Sequence, residues 1–72
     1  MVMKMSVSDV MGIARKFLTE EAGFDIVRVA SVVGVEGELH WRVVAEVGQP
    51  ATDKKEIIVD DRDGKIISYK QA

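Results

Sequence analysis

The clearest local pattern in the chain is an alternation of apolar and polar side chains from Leu39 to Val47. Its odd-numbered residues are all apolar. The residues between them, His40, Arg42, Val44 and Glu46, are mostly polar. A period of two predicts a β-strand with one face on a core and the other facing water.

A different period precedes this strand, because apolar residues recur every three or four positions between Val7 and Ala22. This spacing predicts an amphipathic helix. Ser6 and Asp9 have the spacing of a capping box, and Ser8 is a competing N-cap. Gly23 follows the last helical residue, where a glycine with positive φ commonly ends a helix.

The segment between the helix and the alternating strand, Phe24 to Val35, is rich in β-branched residues. This composition predicts a further strand. Its apolar residues fall on both faces, so this strand is either covered on both faces or bulged partway along. The segment Gly34 to Glu38 contains two glycines and predicts the hairpin that leads into the next strand.

Two further strands are predicted at Lys55 to Asp60 and Lys65 to Lys70. Gly48 to Asp53, which includes Pro50, forms the connection before them. Asp61 to Gly64 predicts a tight turn, with aspartate side chains bonding nearby amides and Gly64 in the left-handed conformation. The predicted fold is α+β, with one N-terminal helix packed on a four-stranded antiparallel β-meander. Residues 1–72 form one domain, of which we expect 1–5 to be flexible.

The helix covers only one face of such a sheet, and the other face is not fully polar. The alternation predicts an exposed patch there, which we regard as a candidate interface for a protein partner or a homodimer. Isolated surface aliphatics are the alternative interpretation. The candidate interface residues are Val27, Val29, His40, Arg42, Val44, Ile58 and Ile66.

Composition narrows the class of protein. The chain has 72 residues, no cysteine, one histidine and a net charge of -2, with its basic residues dispersed. A chain of this length buries a thin core and has no disulfide to stabilise it. Dispersed charge argues against nucleic-acid binding, and no apolar run approaches the roughly 18 residues of a membrane helix. We therefore expect a cytoplasmic protein with a protein partner, no nucleic acid and no membrane.

Candidate chemistry is sparse. His40 and Arg42 share the polar side of the strand, and they suggest a small enzyme or ligand-binding domain as an alternative function. General acid-base catalysis needs a partner within hydrogen-bond reach, and the neighbouring sequence suggests none. The acidic run ending at Gly64 lacks the acids that a calcium loop needs at its first and twelfth positions. We expect no catalytic residue, no metal site and no cofactor.

The whole chain resembles a single PepSY-like unit. The features that carry the resemblance are a helix ending at glycine, the strand residues Trp41, Arg42 and Val43, and the closing hairpin with Val59, Asp60, Gly64, Lys65 and Ile66. PepSY-like domains are non-catalytic modules, often attached to peptidases or sensors. The resemblance implies a role in binding or regulating a protein partner.

From Trp41 onward the chain is also similar to the gas vesicle accessory protein O family. The matching residues are Trp41, Val43, Glu46 and Val47, then Pro50 and Asp53, then Val59, Gly64 and Tyr69. This resemblance implies a cytosolic protein that assists vesicle assembly through protein contacts. Both resemblances imply a role without catalysis.

Overall fold

One helix lies across a four-stranded antiparallel sheet in the computed structural model of this chain, which describes residues 3–48 and 53–72. The strands follow one another in the order β1-β2-β3-β4. This confirms the predicted α+β meander. The elements are α1 (Val7–Lys16), a π-helical turn (Phe17–Glu21), β1 (Val27–Val35), a 3₁₀ turn (Glu36–Glu38), β2 (His40–Val47), β3 (Asp53–Asp60) and β4 (Ile66–Gln71).

The predicted capping box opens α1. The Ser6 hydroxyl accepts a hydrogen bond from the Asp9 amide at 3.1 Å, and the Asp9 carboxylate accepts one from the Ser6 amide at 3.2 Å. Ser6, not Ser8, is therefore the N-cap. Gly23 has the predicted positive φ of 79°.

The last helical turn is π-helical, which the sequence did not predict. Within this turn the Thr19 hydroxyl donates to the Arg15 carbonyl oxygen at 3.0 Å. A hydroxyl that competes for this carbonyl favours a widened turn. The turn nevertheless keeps Leu18 fully buried, in line with Val10 and Ala14.

The core lies between the helix and one face of the sheet. Trp41, with the odd-numbered residues that follow it in β2, is buried there, as predicted. Ile57 and Val59 of β3 lie beside Val43 and Trp41 in the register. The fully or nearly fully buried apolar residues are Val10, Ala14, Leu18, Trp41, Val43, Ala45, Val47, Ile57 and Val59.

A β-bulge at Ala30 interrupts β1. Val29 pairs with Ala45, but the next pair along the strand is Ser31 with Val44. The extra residue reverses the alternation, because two residues of one strand then oppose one residue of the other. Of the two alternatives for this segment, the bulged strand is thus confirmed.

The reversal between β1 and β2 lies later than predicted. Gly34 belongs to β1 and pairs with Trp41, whose ring would come within 3.3 Å of a Cβ at this position. Leu39 was predicted to begin the buried face of the next strand, which is wrong. It adopts a left-handed conformation with φ 52° in the turn, and β2 begins at His40.

The turn between β3 and β4 matches its prediction. Gly64 has φ 75°, the Asp60 carboxylate accepts from the Arg62 amide, and the Asp63 carboxylate accepts from the Lys65 amide. Of the predicted connection from Gly48 to Asp53, residues 49–52, including Pro50, lie outside the described residues. Within the described ranges, no helix is long and apolar enough to cross a membrane.

Candidate functional site

The sheet face away from α1 is the candidate site, and we call it the open face. The strand register places His40, Arg42, Val44 and Glu46 of β2 on it. Their neighbours on this face are Arg28, Ser31, Val33 and Val35 of β1, Lys54, Glu56, Ile58 and Asp60 of β3, and Ser68 and Lys70 of β4. No element within residues 3–48 and 53–72 packs over it, because α1 lies on the opposite side.

Aliphatic side chains cross the middle of the open face. Val33 of β1 is 53% exposed, and Val35, Val44 and Ile58 are half-buried. Val33 and Ile58 flank Arg42 from either side in the register, so apolar and charged positions alternate across the sheet. The face is thus neither a polar surface nor a continuous apolar one.

Three predicted interface residues do not lie on the open face. Val27 and Val29 precede the bulge in β1 and pack against the core on the helix side, as does Ile66. Ile66 pairs with the buried Val59, and a second bulge separates it from Ser68. The prediction for these three is wrong because each bulge reverses the alternation from which the faces were assigned. His40, Arg42, Val44 and Ile58 lie on the open face as predicted.

An ion-pair cluster lies at the centre of the open face. The Glu56 carboxylate accepts a hydrogen bond from Arg42 Nε at 2.6 Å, and Lys70 Nζ lies 3.4 Å from its other oxygen. The Glu56 side chain is only 12% exposed, whereas both cations are largely exposed. The Arg42 hydrogen bond holds the pKa of Glu56 below its ordinary value, against the opposing effect of desolvation. Glu56 is therefore ionised at neutral pH and joins three adjacent strands.

His40 lies at one end of the open face, next to Asp60 of β3. Its Nε2 is 3.2 Å from a Glu38 carboxylate oxygen. Asp60 is held instead by Arg62, which donates from its amide at 2.8 Å and from its guanidinium at 3.0 and 3.2 Å. The Arg62 side-chain bond, followed by its amide bond, holds the pKa of Asp60 below its ordinary value.

The two residues of the enzyme hypothesis are thus each bound to a carboxylate of their own. Arg42 is paired with Glu56 and His40 with Glu38, and these contacts share no third group. The structure places His40 and Arg42 on one face of the sheet, but the two side chains do not form one site. In the described part of the chain, no three His, Cys, Asp or Glu side chains are placed to hold a metal ion.

The sequence pattern did not indicate that one carboxylate, that of Asp61, is buried. Asp61 is 2% exposed and accepts hydrogen bonds from Trp41 Nε1 at 2.8 Å and from the backbone amides of Lys4 at 2.6 Å and Met5 at 2.8 Å. Burial, the largest single influence, raises the pKa of Asp61, but the three hydrogen bonds outweigh it and lower the pKa overall. Part of the segment expected to be flexible therefore has fixed partners.

One signal for this contact was present in the sequence. A buried tryptophan usually finds an acceptor for its indole N–H, and the predicted strand buried Trp41. Nothing in the sequence indicated which of the neighbouring acidic residues would supply that acceptor. The role of Asp61 is structural, because it ties the N-terminal residues to the end of the sheet.

Comparisons of this chain with family models, with curated proteins and with solved structures found no match.

Proposed function

We propose that this chain is a non-catalytic, cytoplasmic protein-binding module, and that it binds a second copy of itself through the open face. The observation that carries the proposal is an uncovered sheet face on which aliphatic residues lie beside the ion-pair cluster. Val44 and Ile58 lie on adjacent strands there, and Val33 projects beside them. Aliphatic side chains on an uncovered sheet face give a binding partner apolar area to bury.

The size of the chain favours a second copy as the occupant. A domain of this length buries only about 60% of the surface that its unfolded chain exposes, and the sequence has no cysteine with which to form a disulfide. Association is then one of the few remaining sources of buried apolar area. A non-catalytic role also agrees with the PepSY-like resemblance.

The charges on the open face are compatible with self-association. Basic and acidic side chains are interspersed on this face. Two copies that meet through it therefore do not bring large surfaces of like charge together. The most buried acid of this face, Glu56, already has Arg42 and Lys70 as partners, which lowers the cost of excluding water from it. The charged residues of this face are Arg28, Arg42, Lys54 and Lys70, with Glu46, Glu56 and Asp60.

The area of the face is also adequate. Four strands spaced about 4.8 Å apart, with an average length of about 26 Å, present a flat area of about 500 Å². Two such faces bury about 1,000 Å², which is near the lower limit for a specific interface. We therefore expect a dimer of modest affinity, populated at high protein concentration.

Light scattering coupled to size exclusion tests this proposal, with protein concentrations from the micromolar to the millimolar range. The mass is expected to rise from monomer to dimer across this range. The Val33→Glu variant is expected to remain monomeric, because it replaces an exposed aliphatic side chain of the contact with a carboxylate. Val7→Glu is the control, since Val7 is similarly exposed but lies at the start of α1, away from the open face.

A wild-type chain that stays monomeric at millimolar concentration contradicts the proposal. So does a dimer that persists unchanged in Val33→Glu. Circular dichroism of each variant verifies that the fold is intact.

A further inference from the structure

The outer edge of β4 has backbone groups that point away from the sheet. Ala72 donates its amide to the Lys54 carbonyl at 2.9 Å, so these two residues form a hydrogen-bonded pair. Such pairs alternate along an antiparallel ladder, and Ser68 and Lys70 therefore also bond toward β3. The amides and carbonyls of Tyr69 and Gln71 point outward, and no strand of the described chain lies beyond β4.

An apolar groove runs beside this edge on the helix side. α1 packs against β1, β2 and β3, and it leaves a space of about 190 Å³ between the helix and β4. Ile13, Phe17 and Ile66 line its floor. The Phe17 ring meets the Tyr69 ring edge-on, with centroids 5.1 Å apart. The groove is smaller than the roughly 300 Å³ of a small-molecule pocket, and it has room for one large side chain.

The rim of this groove carries more acid than base. Glu20 and Glu21 lie at the end of the helix, with Lys16 one turn earlier. A basic residue beside the inserted side chain would pair with one of the two carboxylates. One strand added beside β4 can reach all three features. Its backbone pairs with the outward groups of β4, and its alternate side chains point to the helix side, toward the groove and its rim.

We propose that β4 binds an extended segment of a partner protein by strand addition. The backbone of the segment pairs with Tyr69 and Gln71, one large apolar side chain fills the groove, and a Lys or Arg two residues away faces Glu20 and Glu21. This site is separate from the open face, so the inference does not depend on the proposed self-association.

Fluorescence anisotropy with a labelled heptapeptide, Thr-Arg-Thr-Phe-Thr-Arg-Thr, tests the inference. We expect saturable binding, with weaker binding of peptides that carry Ser in place of Phe or Glu in place of Arg. In the protein, Glu20→Lys and Glu21→Lys, each made singly, are expected to weaken binding. Glu46→Lys is the charge-matched control, because Glu46 lies on the open face.

Gln71 provides the sharpest variant. Gln71→Pro removes an outward amide and leaves the backbone hydrogen bonds to β3 in place, since proline is tolerated where no ladder donor is needed. It is expected to weaken peptide binding about three- to tenfold, as for the loss of one hydrogen bond. Gln71→Ala keeps the amide and removes only the side chain, which bonds Lys55, and it is expected to bind as the wild type does.

Three outcomes overturn the inference. One is the absence of peptide binding at millimolar concentration, and another is binding that Gln71→Pro leaves unchanged. The third is a dimer that Gln71→Pro disrupts, which would assign the edge to a second copy of this chain.

Discussion

Gly12 lies in the interior of α1, on its exposed side, and a Cβ added there meets no atom within 4 Å. Glycine in a helix interior is about 0.8–1.0 kcal/mol less favourable than alanine, because more backbone freedom is lost on folding. The Gly12→Ala substitution adds no steric conflict to offset this gain. We therefore expect it to stabilise the fold by nearly that full amount.

The expected gain from Gly12→Ala is large relative to the total free energy of unfolding. A chain of 72 residues has a free energy of unfolding of about 4–11 kcal/mol, so about 1 kcal/mol is a substantial fraction. For a domain of this size it raises Tm by about 4–8 °C. Urea unfolding followed by circular dichroism, together with thermal melts, measures both quantities.

Gly23 is the matched control, because it also has no atom within 4 Å of an added Cβ. It differs in its φ of 79°, a conformation that costs a residue with a Cβ about 1–2 kcal/mol. Gly23→Ala is therefore expected to destabilise by about 1 kcal/mol, which is opposite in sign to Gly12→Ala. If both substitutions stabilise the chain, the helix does not end at Gly23, and the description of this segment is refuted.

Three further predictions concern the helix and the buried carboxylate. Leu18→Ala is expected to lower the free energy of urea unfolding by about 2–5 kcal/mol, whereas Val7→Ala at an exposed site costs much less. Ser6→Ala is expected to cost about 1 kcal/mol and Ser8→Ala nearly nothing, because only Ser6 caps the helix. The lowered pKa of Asp61 means that its contribution to stability is complete above about pH 4 and is lost as the pH falls through the folded-state pKa. Acid unfolding monitored by the single tryptophan is therefore expected to have a weaker pH dependence in Asp61→Asn.

The elements themselves could be predicted because each depends on local chemistry. The capping box at Ser6, the glycine at 23 and the alternation after His40 act over a few residues, and all are observed. The core face of β2 followed directly from that alternation, since apolar side chains on one side of a strand require a covering layer.

The faces of β1 and β4 could not be assigned in the same way. A bulge inserts one residue into the ladder, and its position depends on pairing with the neighbouring strand. Val27 and Ile66 were consequently placed on the wrong side of the sheet. The contact between Trp41 and Asp61 was out of reach for a similar reason, because the two residues are 20 positions apart and meet only when β2 and the β3–β4 turn are in place.

The hydrogen bonds from Lys4 and Met5 to Asp61 also have a consequence for the order of folding. They join residues 57 and 56 positions apart, whereas each strand of the meander pairs with its neighbour in sequence. Closing so long a loop is entropically costly before the sheet exists. These bonds are therefore expected to form after the rate-limiting barrier, so that losing them speeds unfolding while the refolding rate barely changes. In kinetic terms, the hydrogen bonds that Asp61 accepts from Lys4 and Met5 are expected to lengthen the lifetime of the folded state without changing how fast it forms.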